Sequence, residues 1–295
     1  MQTVSEYSGP DRYTVFGTKR SDESVYARVR KHLLRLCFVC LICMGFTEAL
    51  TGNRPTATSS AAPILVELFT SEGCSTCPPA DITLGKMDTL QPVPGAQLIV
   101  LSEHVDYWNH DGWTDPYSSA SITGRQNSYV RALGLKTAYT PQIFIDGTAE
   151  LRLGDPAQAT QIFQKATSVS KVPISITSAT IEGSKPAIVQ GTIEAESGPP
   201  EQHNADVFVA VALDHAESQV DSGENRGQHL VHVAVVLEII KVGKLEKGKS
   251  FHQDFRVKFN PPHTAPTNIR IVAFIQETGP GRVLGASLRK VEMNP

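Results

Sequence analysis

The feature that most constrains the fold of this chain is a close pair of cysteines, Cys74 and Cys77, followed at once by Pro78 and Pro79. Proline has no backbone N–H, so adjacent prolines are tolerated in a helix only in its first turn. The apolar, β-branched residues 63–69 (PILVELF) precede the pair and predict a buried strand. The pattern therefore predicts a strand, a turn that contains both cysteines, and a helix that begins beside them.

Apolar residues downstream of the pair predict the next two elements. The residues at helical spacing are Ala80, Leu84, Met87 and Leu90. Residues 97–102 (QLIVLS) then predict a second strand. Strand, helix and strand in this order form a βαβ unit, whose strands are parallel and whose crossover is right-handed.

The position of the cysteines favours redox chemistry. A helix N-terminus stabilises an anion, so the Cys74 thiolate is favoured there, and Cys77 is placed to attack a mixed disulfide at Cys74. The sequence has five cysteines, and the other three lie in residues 36–46, so a framework of disulfides is not indicated. A structural disulfide, half of a zinc site and two inert core cysteines stay open as alternatives.

A second motif, Thr140-Pro141, leads into an apolar strand that ends in the turn Asp146-Gly147. Proline is allowed at the first position of a strand, and a bond that precedes proline is the common place for a cis peptide. We expect Thr140 to present backbone groups to a bound chain, which pairs as an added strand. Together with the Cys-x-x-Cys helix, this motif predicts a thioredoxin-like layout over residues 63–170.

The insertion between these motifs, residues 103–137, supplies further candidate site residues. His104 and Asp106 follow the second strand at the sheet edge where Cys74 leaves its own strand. We therefore expect His104 to accept or supply a thiol proton, oriented by Asp106 or Glu103. The insertion itself is expected to be a helical lobe, with a helix over residues 122–133.

Two other interpretations concern the side chains of this insertion. A metal site is an alternative from its ligand types, which are His104, Asp106, His110 and Asp111. Trp108 is expected to pack in the core of the inserted lobe, and the alternative is an apolar wall beside the thiols that selects a substrate. Tyr139, next to Thr140, is a further candidate for substrate binding.

Residues 171–295 follow a helix predicted over residues 156–168 and have the alternating pattern of strands. The predicted strands are residues 172–181, 187–195, 206–214, 230–242, 251–259 and 269–277, divided by turns such as Glu182-Gly183-Ser184 and Asn260-Pro261-Pro262. This spacing predicts a smaller antiparallel β-sandwich-like domain. Its one conspicuous loop, residues 222–227 (SGENRG), is interpreted as a tight surface turn, with contact to the first domain as the alternative.

The amino-terminal part of the chain has the parts of a secretory signal peptide over residues 28–49. Basic residues precede the apolar residues 36–46, and small residues near Ala49 predict cleavage there. The apolar segment is too short to favour a membrane span, and an uncleaved interfacial anchor is the alternative. Residues 1–27 are interpreted as a disordered leader or a mis-assigned start, and residues 50–62 as a linker. The protein is expected in the periplasm or outside the cell.

The chain resembles a thioredoxin-fold protein and, more narrowly, the uncharacterised bacterial domain of unknown function 1223 family. The segments that carry the resemblance are residues 66–74, 104–108, 112–116, 139–142 and 222–227. The resemblance implies Cys74 as nucleophile, Cys77 as resolving thiol and Pro141 as the cis-proline that faces them. It supplies no reaction, because the family has no settled substrate.

These observations predict an α/β fold, in which a thioredoxin-like domain with a helical insertion precedes the β-sandwich-like domain. The predicted function is an exported thiol–disulfide oxidoreductase that acts on a protein or a small thiol or disulfide. The predicted site residues are Cys74, Cys77, Pro141 and His104 for catalysis, and Thr140, Tyr139, Asp106 and Trp108 for substrate binding. The sequence has no glycine-rich nucleotide-binding loop, so it does not indicate an organic cofactor. Its net charge of −3 does not indicate nucleic acid as a partner. The alternative is a secreted, non-catalytic binding module with a structural disulfide.

Overall fold

A computed structural model describes the protein over residues 61–183, 185–199, 203–260 and 268–292. The expected leader, the expected signal peptide and all but the end of the linker lie outside these ranges. Ser184, Pro261 and Pro262, from two of the predicted turns, lie outside them as well. Within the described ranges, no helix is both long and apolar enough to cross a membrane.

The predicted βαβ unit is present around the cysteine pair. Its elements are β1 (Ala62–Thr70), α1 (Pro78–Leu90) and β2 (Ala96–His104). The two strands run parallel, in a register that pairs Ala62 with Ala96 and Thr70 with His104. Both strands are almost wholly buried, as expected for parallel strands covered on both faces. The register brings the carboxyl ends of β1 and β2 to one edge, beside the cysteine turn (residues 74–77).

A helix, a hairpin and a second helix follow. They are α2 (Ala120–Ala132), β3 (Gln142–Ile145), β4 (Ala149–Leu151) and α3 (Pro156–Ser168). α2 begins where the Ser119 hydroxyl accepts a hydrogen bond from the N–H of Ile122, and Asp155 caps α3 in the same way. β3 lies antiparallel to β1, with Gln142 opposite Phe69.

Successive residues of β1 face two different cores, because side chains alternate across a strand. Ile64, Val66 and Leu68 pack with apolar side chains of α1 and α3. Leu65 and Phe69 belong to the opposite core, to which α2 contributes. The cysteine turn therefore starts from a strand that is fixed on both of its faces.

The later strands divide between two sheets. They are β5 (Ile174–Glu182), β6 (Ala187–Ala195), β7 (Ala205–Gln219), β8 (His229–Leu245), β9 (Phe251–Phe259), β10 (Asn268–Glu277) and β11 (Val283–Glu292). Four of them join the first four strands in one eight-stranded sheet, in the order β11-β10-β7-β8-β2-β1-β3-β4. The other three form a second sheet, in the order β5-β6-β9, and apolar side chains from both sheets share one core.

The predicted fold class, a thioredoxin-like α/β domain followed by a smaller antiparallel β-sandwich-like domain, is wrong. The protein is mostly β, with eleven strands and three helices among its described residues. β2 pairs with β1 along one of its edges, and on its other edge Ser102 pairs with Val235 of β8. The late strands therefore extend the first sheet instead of forming a separate sandwich. The insertion contains a single helix, α2, rather than a helical lobe. Apolar alternation identifies a strand but not the strand beside it.

One buried guanidinium ties α1 to the large sheet. Arg270 of β10 is fully buried and donates to both carboxylate oxygens of Asp88, near the end of α1, at 2.8 and 2.7 Å. It also donates to Asp214 of β7 at 2.9 and 2.6 Å. From the exposed side, Lys290 of β11 donates to Asp214 at 2.8 Å. A buried charge must be paired, so this cation requires α1 and β7 to meet at β10.

Replacing Arg270 with methionine should lower the free energy of unfolding by about 3 kcal/mol, because Asp88 and Asp214 then lose their shared buried cation. Urea unfolding followed by circular dichroism measures this loss. Lys290→Ala is the matched control, since it removes an exposed cation from the same Asp214 and should cost less than about 1 kcal/mol. Equal losses in the two variants would contradict the assigned role of Arg270.

Candidate functional site

The two cysteines are joined by a disulfide in a tight turn before α1, which confirms the predicted disulfide. The N–H of Cys77 donates to the carbonyl of Cys74 at 3.1 Å and closes the turn. α1 begins at Pro78, so Cys77, and not Cys74, occupies the N-cap position. The effect of a helix dipole falls off within the first turn, so it acts on Cys77 more directly than on Cys74.

The sulfur atoms of this disulfide are hidden, whereas the residues between them are exposed. Cys74 and Cys77 are fully buried, while Ser75 and Thr76 face solvent. The Sγ of Cys74 lies 3.3 Å from the hydroxyl oxygen of Thr76. A molecule that approaches the cysteine turn therefore meets Ser75 and Thr76 before it meets sulfur.

A loop from the second half of the chain, the strap loop (residues 222–227), lies against the cysteine turn. Its Glu224 carboxylate accepts hydrogen bonds from the N–H and the hydroxyl of Ser75, at 3.1 and 2.6 Å. The amide of its buried Asn225 donates to the carbonyls of Glu72 and Cys74, at 2.8 and 3.0 Å. The interpretation as a free surface turn is therefore wrong, and the alternative of contact with the first half of the chain is the observed one.

The predicted cis-proline motif lies at the same edge of the sheet. The Thr140–Pro141 peptide bond is cis. Because Gln142 pairs with Phe69, the residues just before β3 lie beside the end of β1, where the chain turns toward Cys74. The structure thus brings Pro141 to the strand end that carries the cysteine turn.

Trp108 links the proline motif to the cysteine turn. Its indole N–H donates to the hydroxyl of Thr140 at 2.8 Å. Its Cβ lies 3.0 Å from the position that a Cβ on Gly73 would occupy, so a larger residue next to Cys74 would need Trp108 to move. Two predicted substrate-binding residues, Trp108 and Thr140, are therefore held together beside the cysteines.

Two other predicted residues have different surroundings. Tyr139 is 43% exposed, and its hydroxyl donates to Glu150 at 2.9 Å. Partial burial, and then the hydrogen bond to Glu150, raise the pKa of Tyr139 to about 12. Asp106 accepts a hydrogen bond from the Thr123 hydroxyl at 2.6 Å, so its carboxylate is directed to α2 and not to His104.

His104 is fully buried, and its orienting partner is Asp115. The Nδ1 atom of His104 lies 2.7 Å from the Asp115 carboxylate, which also accepts from the backbone N–H groups of Glu72 and Tyr117. Burial alone would raise the pKa of Asp115, but the charge and hydrogen bond of His104 and these N–H groups lower it. The expected orientation by Asp106 or Glu103 is wrong.

Glu103 cannot orient His104, because the side chains of neighbouring strand residues point to opposite faces. Its carboxylate instead lies among Glu67, Arg125 and Tyr129, with Arg125 Nε at 3.7 Å. Burial, and then repulsion by Glu67, raise the pKa of Glu103 well above its usual range. Arg125 donates to Glu67 at 2.7 Å, whereas both carboxylate oxygens of Glu103 are buried without a hydrogen-bond partner among the described residues.

A buried imidazole from β8 lies between two buried carboxylates that flank the cysteine turn. The Nε2 of His232 is 3.5 Å from Glu72 Oε1, and its Nδ1 is 3.6 Å from Asp81 Oδ1. Burial alone would lower the pKa of His232, but Asp81 and Glu72 outweigh burial and raise it to about 10. His232 therefore carries a positive charge at neutral pH. Its ring centroid lies 4.8 Å from that of His104.

Sequence reasoning missed most of this interior. The missed residues are Glu72, Asp81, Asp115, Asn225 and His232. Glu72 and Asp81 are close to the cysteines in sequence, so their proximity was an available signal. Nothing in the chain marked His232, because its burial follows the ordinary alternation of β8. The alternative metal set of His104, Asp106, His110 and Asp111 is not assembled, since His104 and Asp106 have different partners. The described residues include no other group with the geometry of a metal site.

The family described as protein of unknown function (DUF1223) matches residues 65–276 of the chain. The matched span contains the cysteine turn, the cis-proline motif, the strap loop and both buried histidines. The match confirms the expected resemblance to the domain of unknown function 1223 family and does not extend to the thioredoxin superfamily. No curated protein matches the chain.

Two solved structures are similar over most of the chain. The crystal structure of protein AGR_C_4864 from Agrobacterium tumefaciens is 26% identical, with a TM-score of 0.56, and the match covers 80% of this chain and 98% of that chain. HBP35 of Porphyromonas gingivalis is 12% identical, with a TM-score of 0.55 and coverage of 78% of this chain and 75% of that chain. The second likeness concerns the fold alone.

The charge on His232 predicts how stability depends on pH. Because the folded-state pKa of about 10 exceeds the ordinary value of 6.5, protonated His232 stabilises the fold fully below pH 6.5. This contribution declines as the pH rises and is gone above about pH 10, at a rate of at most about 1.4 kcal/mol per pH unit. Urea unfolding at a series of pH values measures the slope.

In His232→Gln this part of the slope should vanish between about pH 7 and pH 10. The control is His229→Gln, which changes a half-exposed histidine of the same strand and should keep the wild-type slope. A wild-type slope in the His232→Gln protein would show that His232 is not the buried cation.

Proposed function

The chain belongs to the family of proteins of unknown function (DUF1223), and we propose that it works as a thiol–disulfide oxidoreductase whose reactive pair is Cys74 and Cys77. The observation that carries the proposal is the setting of the disulfide, which lies in a turn at a helix N-terminus with buried ionisable groups on both sides. The ionisable groups beside it are Glu72, Asp81 and His232. Such groups cluster where thiol and proton chemistry occur.

The proposed reaction transfers two electrons from a substrate dithiol to the Cys74–Cys77 bond. A substrate thiolate attacks the Sγ of Cys74, the bond between the cysteines breaks, and its electron pair stays on the Sγ of Cys77. The second substrate thiolate then attacks the mixed disulfide and releases Cys74. The substrate becomes a disulfide, the protein becomes a dithiol, and the two substrate protons are balanced by two protons on the cysteines. The reverse sequence of steps reduces a substrate disulfide.

The surroundings of the turn support an extended thiol substrate. Thr140 and Pro141 lie at the sheet edge from which the cysteine turn leaves, and Trp108 holds Thr140 in place. Access to the buried Sγ of Cys74 requires the strap loop to shift, since Glu224 and Asn225 hold it against the turn. Substrate entry is thus coupled to breaking the exposed hydrogen bonds of Glu224 to Ser75 and the buried hydrogen bonds that Asn225 donates to the carbonyls of Glu72 and Cys74. The buried bonds are the costly ones, at about 1–3 kcal/mol for each group that is left without a partner.

Export belongs to the same proposal. The basic and apolar residues 28–49 have the pattern of a secretory signal, with cleavage near Ala49. An oxidising compartment such as the periplasm allows a cysteine pair to cycle through its disulfide form. The proposed substrates are therefore thiols or disulfides of that compartment, and the chemistry needs no organic cofactor.

One observation favours a second candidate function, a binding module with a static disulfide. Both cysteines are fully buried, as in a structural bridge, and Asn225 of the strap loop donates to the carbonyl of Cys74. A static bridge and a reactive pair differ in whether one sulfur can be captured by an outside thiol. That difference is accessible to experiment.

In Cys77→Ser, the free Cys74 should form a stable mixed disulfide with oxidised glutathione or with a disulfide substrate, because the resolving thiol is missing. In Cys74→Ser, the remaining Cys77 should react at least about tenfold more slowly, because the buried carboxylate of Asp81 lies one helical turn away and disfavours a second negative charge on the Cys77 sulfur. Intact-mass spectrometry after acid quenching measures both adducts. Circular dichroism of each variant establishes that it is folded. Two folded variants that both fail to form an adduct would contradict the oxidoreductase proposal and favour the binding module.

A further inference from the structure

The buried carboxylates beside the disulfide are attached to both ends of the cysteine turn. Glu72 lies just before Cys74 in the chain, and Asp81 lies in the first turns of α1, after Cys77. Glu72 is fully buried, and Asp81 is 6% exposed. His232 of β8 lies between them, with one ring nitrogen toward each carboxylate. A single imidazolium therefore joins the two sides of the turn.

Asp81 is the member of this cluster that lies one helical turn after Cys77. The N–H of Asp81 donates to the carbonyl of Cys77 at 3.2 Å, which places the two residues one helical turn apart. Side chains so related lie on the same face, with their Cβ atoms about 5–6 Å apart. Both side chains are buried, so they face the same interior. Asp81 is therefore the carboxylate that the helix geometry places beside Cys77, where a general acid or base for its thiol would have to lie.

The polar groups around the ring of His232 determine where its protons can be transferred. The packed elements direct five polar groups toward its ring region: Glu72, Asp81, the rings of His104 and Tyr117, and Asp115 behind His104. Asp81 also accepts a hydrogen bond from the Thr70 hydroxyl at 3.2 Å. The separations of 3.5 and 3.6 Å are those of ion pairs rather than of hydrogen bonds. His232 is thus held by charge between two acceptors, an arrangement that leaves its protons transferable.

Resting on the proposed function, we infer that His232 is a positioning residue for disulfide opening, which stores the proton that Asp81 delivers to the Cys77 thiolate. When the bond between the cysteines breaks, the electron pair stays on the Sγ of Cys77. His232 gives a proton to Asp81, Asp81 gives a proton to that sulfur, and solvent returns one to His232. In the reverse direction Asp81 accepts the Cys77 proton while the Cys77 sulfur attacks the mixed disulfide.

The inference explains why a histidine, rather than an apolar residue, occupies this position of β8. A buried thiolate at Cys77 would face Glu72 and Asp81, and like charges repel strongly where water is excluded. A proton supplied within the cluster removes that charge as the bond breaks. The alternative role of His232 is that of a buried cation that only stabilises the fold, as Arg270 does between Asp88 and Asp214, and the rate of disulfide opening distinguishes the two roles.

The test is the pH profile of disulfide opening by dithiothreitol, measured in the full mature chain. The rate constant is divided by the thiolate fraction of the reagent at each pH, so that only the protein's own titration remains. We expect a constant value from about pH 6 to pH 9 and a fall as His232 loses its proton, near its pKa of about 10. Circular dichroism at each pH confirms that the protein stays folded. A corrected rate that stays flat through pH 10.5 in folded protein would overturn the inference.

Three variants sharpen the test. His232→Gln should lower the corrected rate at pH 7 at least tenfold and abolish the fall at high pH, because glutamine is polar but stores no proton. Asp81→Asn should give the same loss and is the second measurement if His232→Gln does not fold. His229→Gln, on the exposed part of the same strand, should match the wild type. A His232→Gln rate equal to the wild-type rate would overturn the inference.

These outcomes are separable from failure of the proposed function. If dithiothreitol opens the disulfide readily but the corrected rate is the same in the wild type and in the His232 and Asp81 variants, the inference is wrong and the oxidoreductase proposal stands. If the folded wild-type protein is not reduced at any pH tested, the pair is a static bridge, and the proposed function fails together with the inference.

Discussion

The buried carboxylates of Glu72 and Asp81 need a cation, and the chain supplies it from a distant segment, as His232 on β8. A buried charge without a partner is too costly to keep in a folded protein. β8 runs beside β2, with Val235 opposite Ser102, and this position brings the imidazole of His232 to both carboxylates. β7, β10 and β11 then follow β8 into the same eight-stranded sheet. The imidazole of His232 thus links the late strands of the sheet to the buried carboxylates of the site.

Local patterns predicted the local elements well. α3, β6 and β9 begin and end at the predicted residues, and the parallel βαβ unit around Cys74 forms as its apolar pattern and adjacent prolines require. What failed was the assembly of strands into sheets, because a period-two pattern states which face is buried but not which neighbour provides the hydrogen bonds. β11 was not predicted at all. The resemblance to the DUF1223 family was right, whereas the fold class predicted from the cysteine and proline motifs and from the strand spacing was wrong.

The site residues also differ in how far the sequence predicted them: those with a local sequence signal were recognised, and those that act through distant contacts were not. Cys74, Cys77 and the Thr140-Pro141 motif were recognisable because their residue types carry chemistry or a special peptide geometry. The roles of Asn225 and His232 were not recognisable, because each acts on residues about 150 positions away through a contact that only the folded sheet creates. Asp115 was missed as the partner of His104 for a related reason. Carboxylates on irregular turns show no periodicity, so sequence proximity pointed to Asp106 instead.

The most direct test of the account is the equilibrium reduction potential of the Cys74–Cys77 pair in glutathione buffers, measured on protein that begins near Thr51. The proposed function requires a pair that is opened and closed in use, whereas a static bridge stays closed. The account predicts a potential between about −120 and −200 mV, the span of working oxidants and isomerases. A value below about −300 mV, typical of structural disulfides, would contradict it and leave the protein as a binding module with a static bridge.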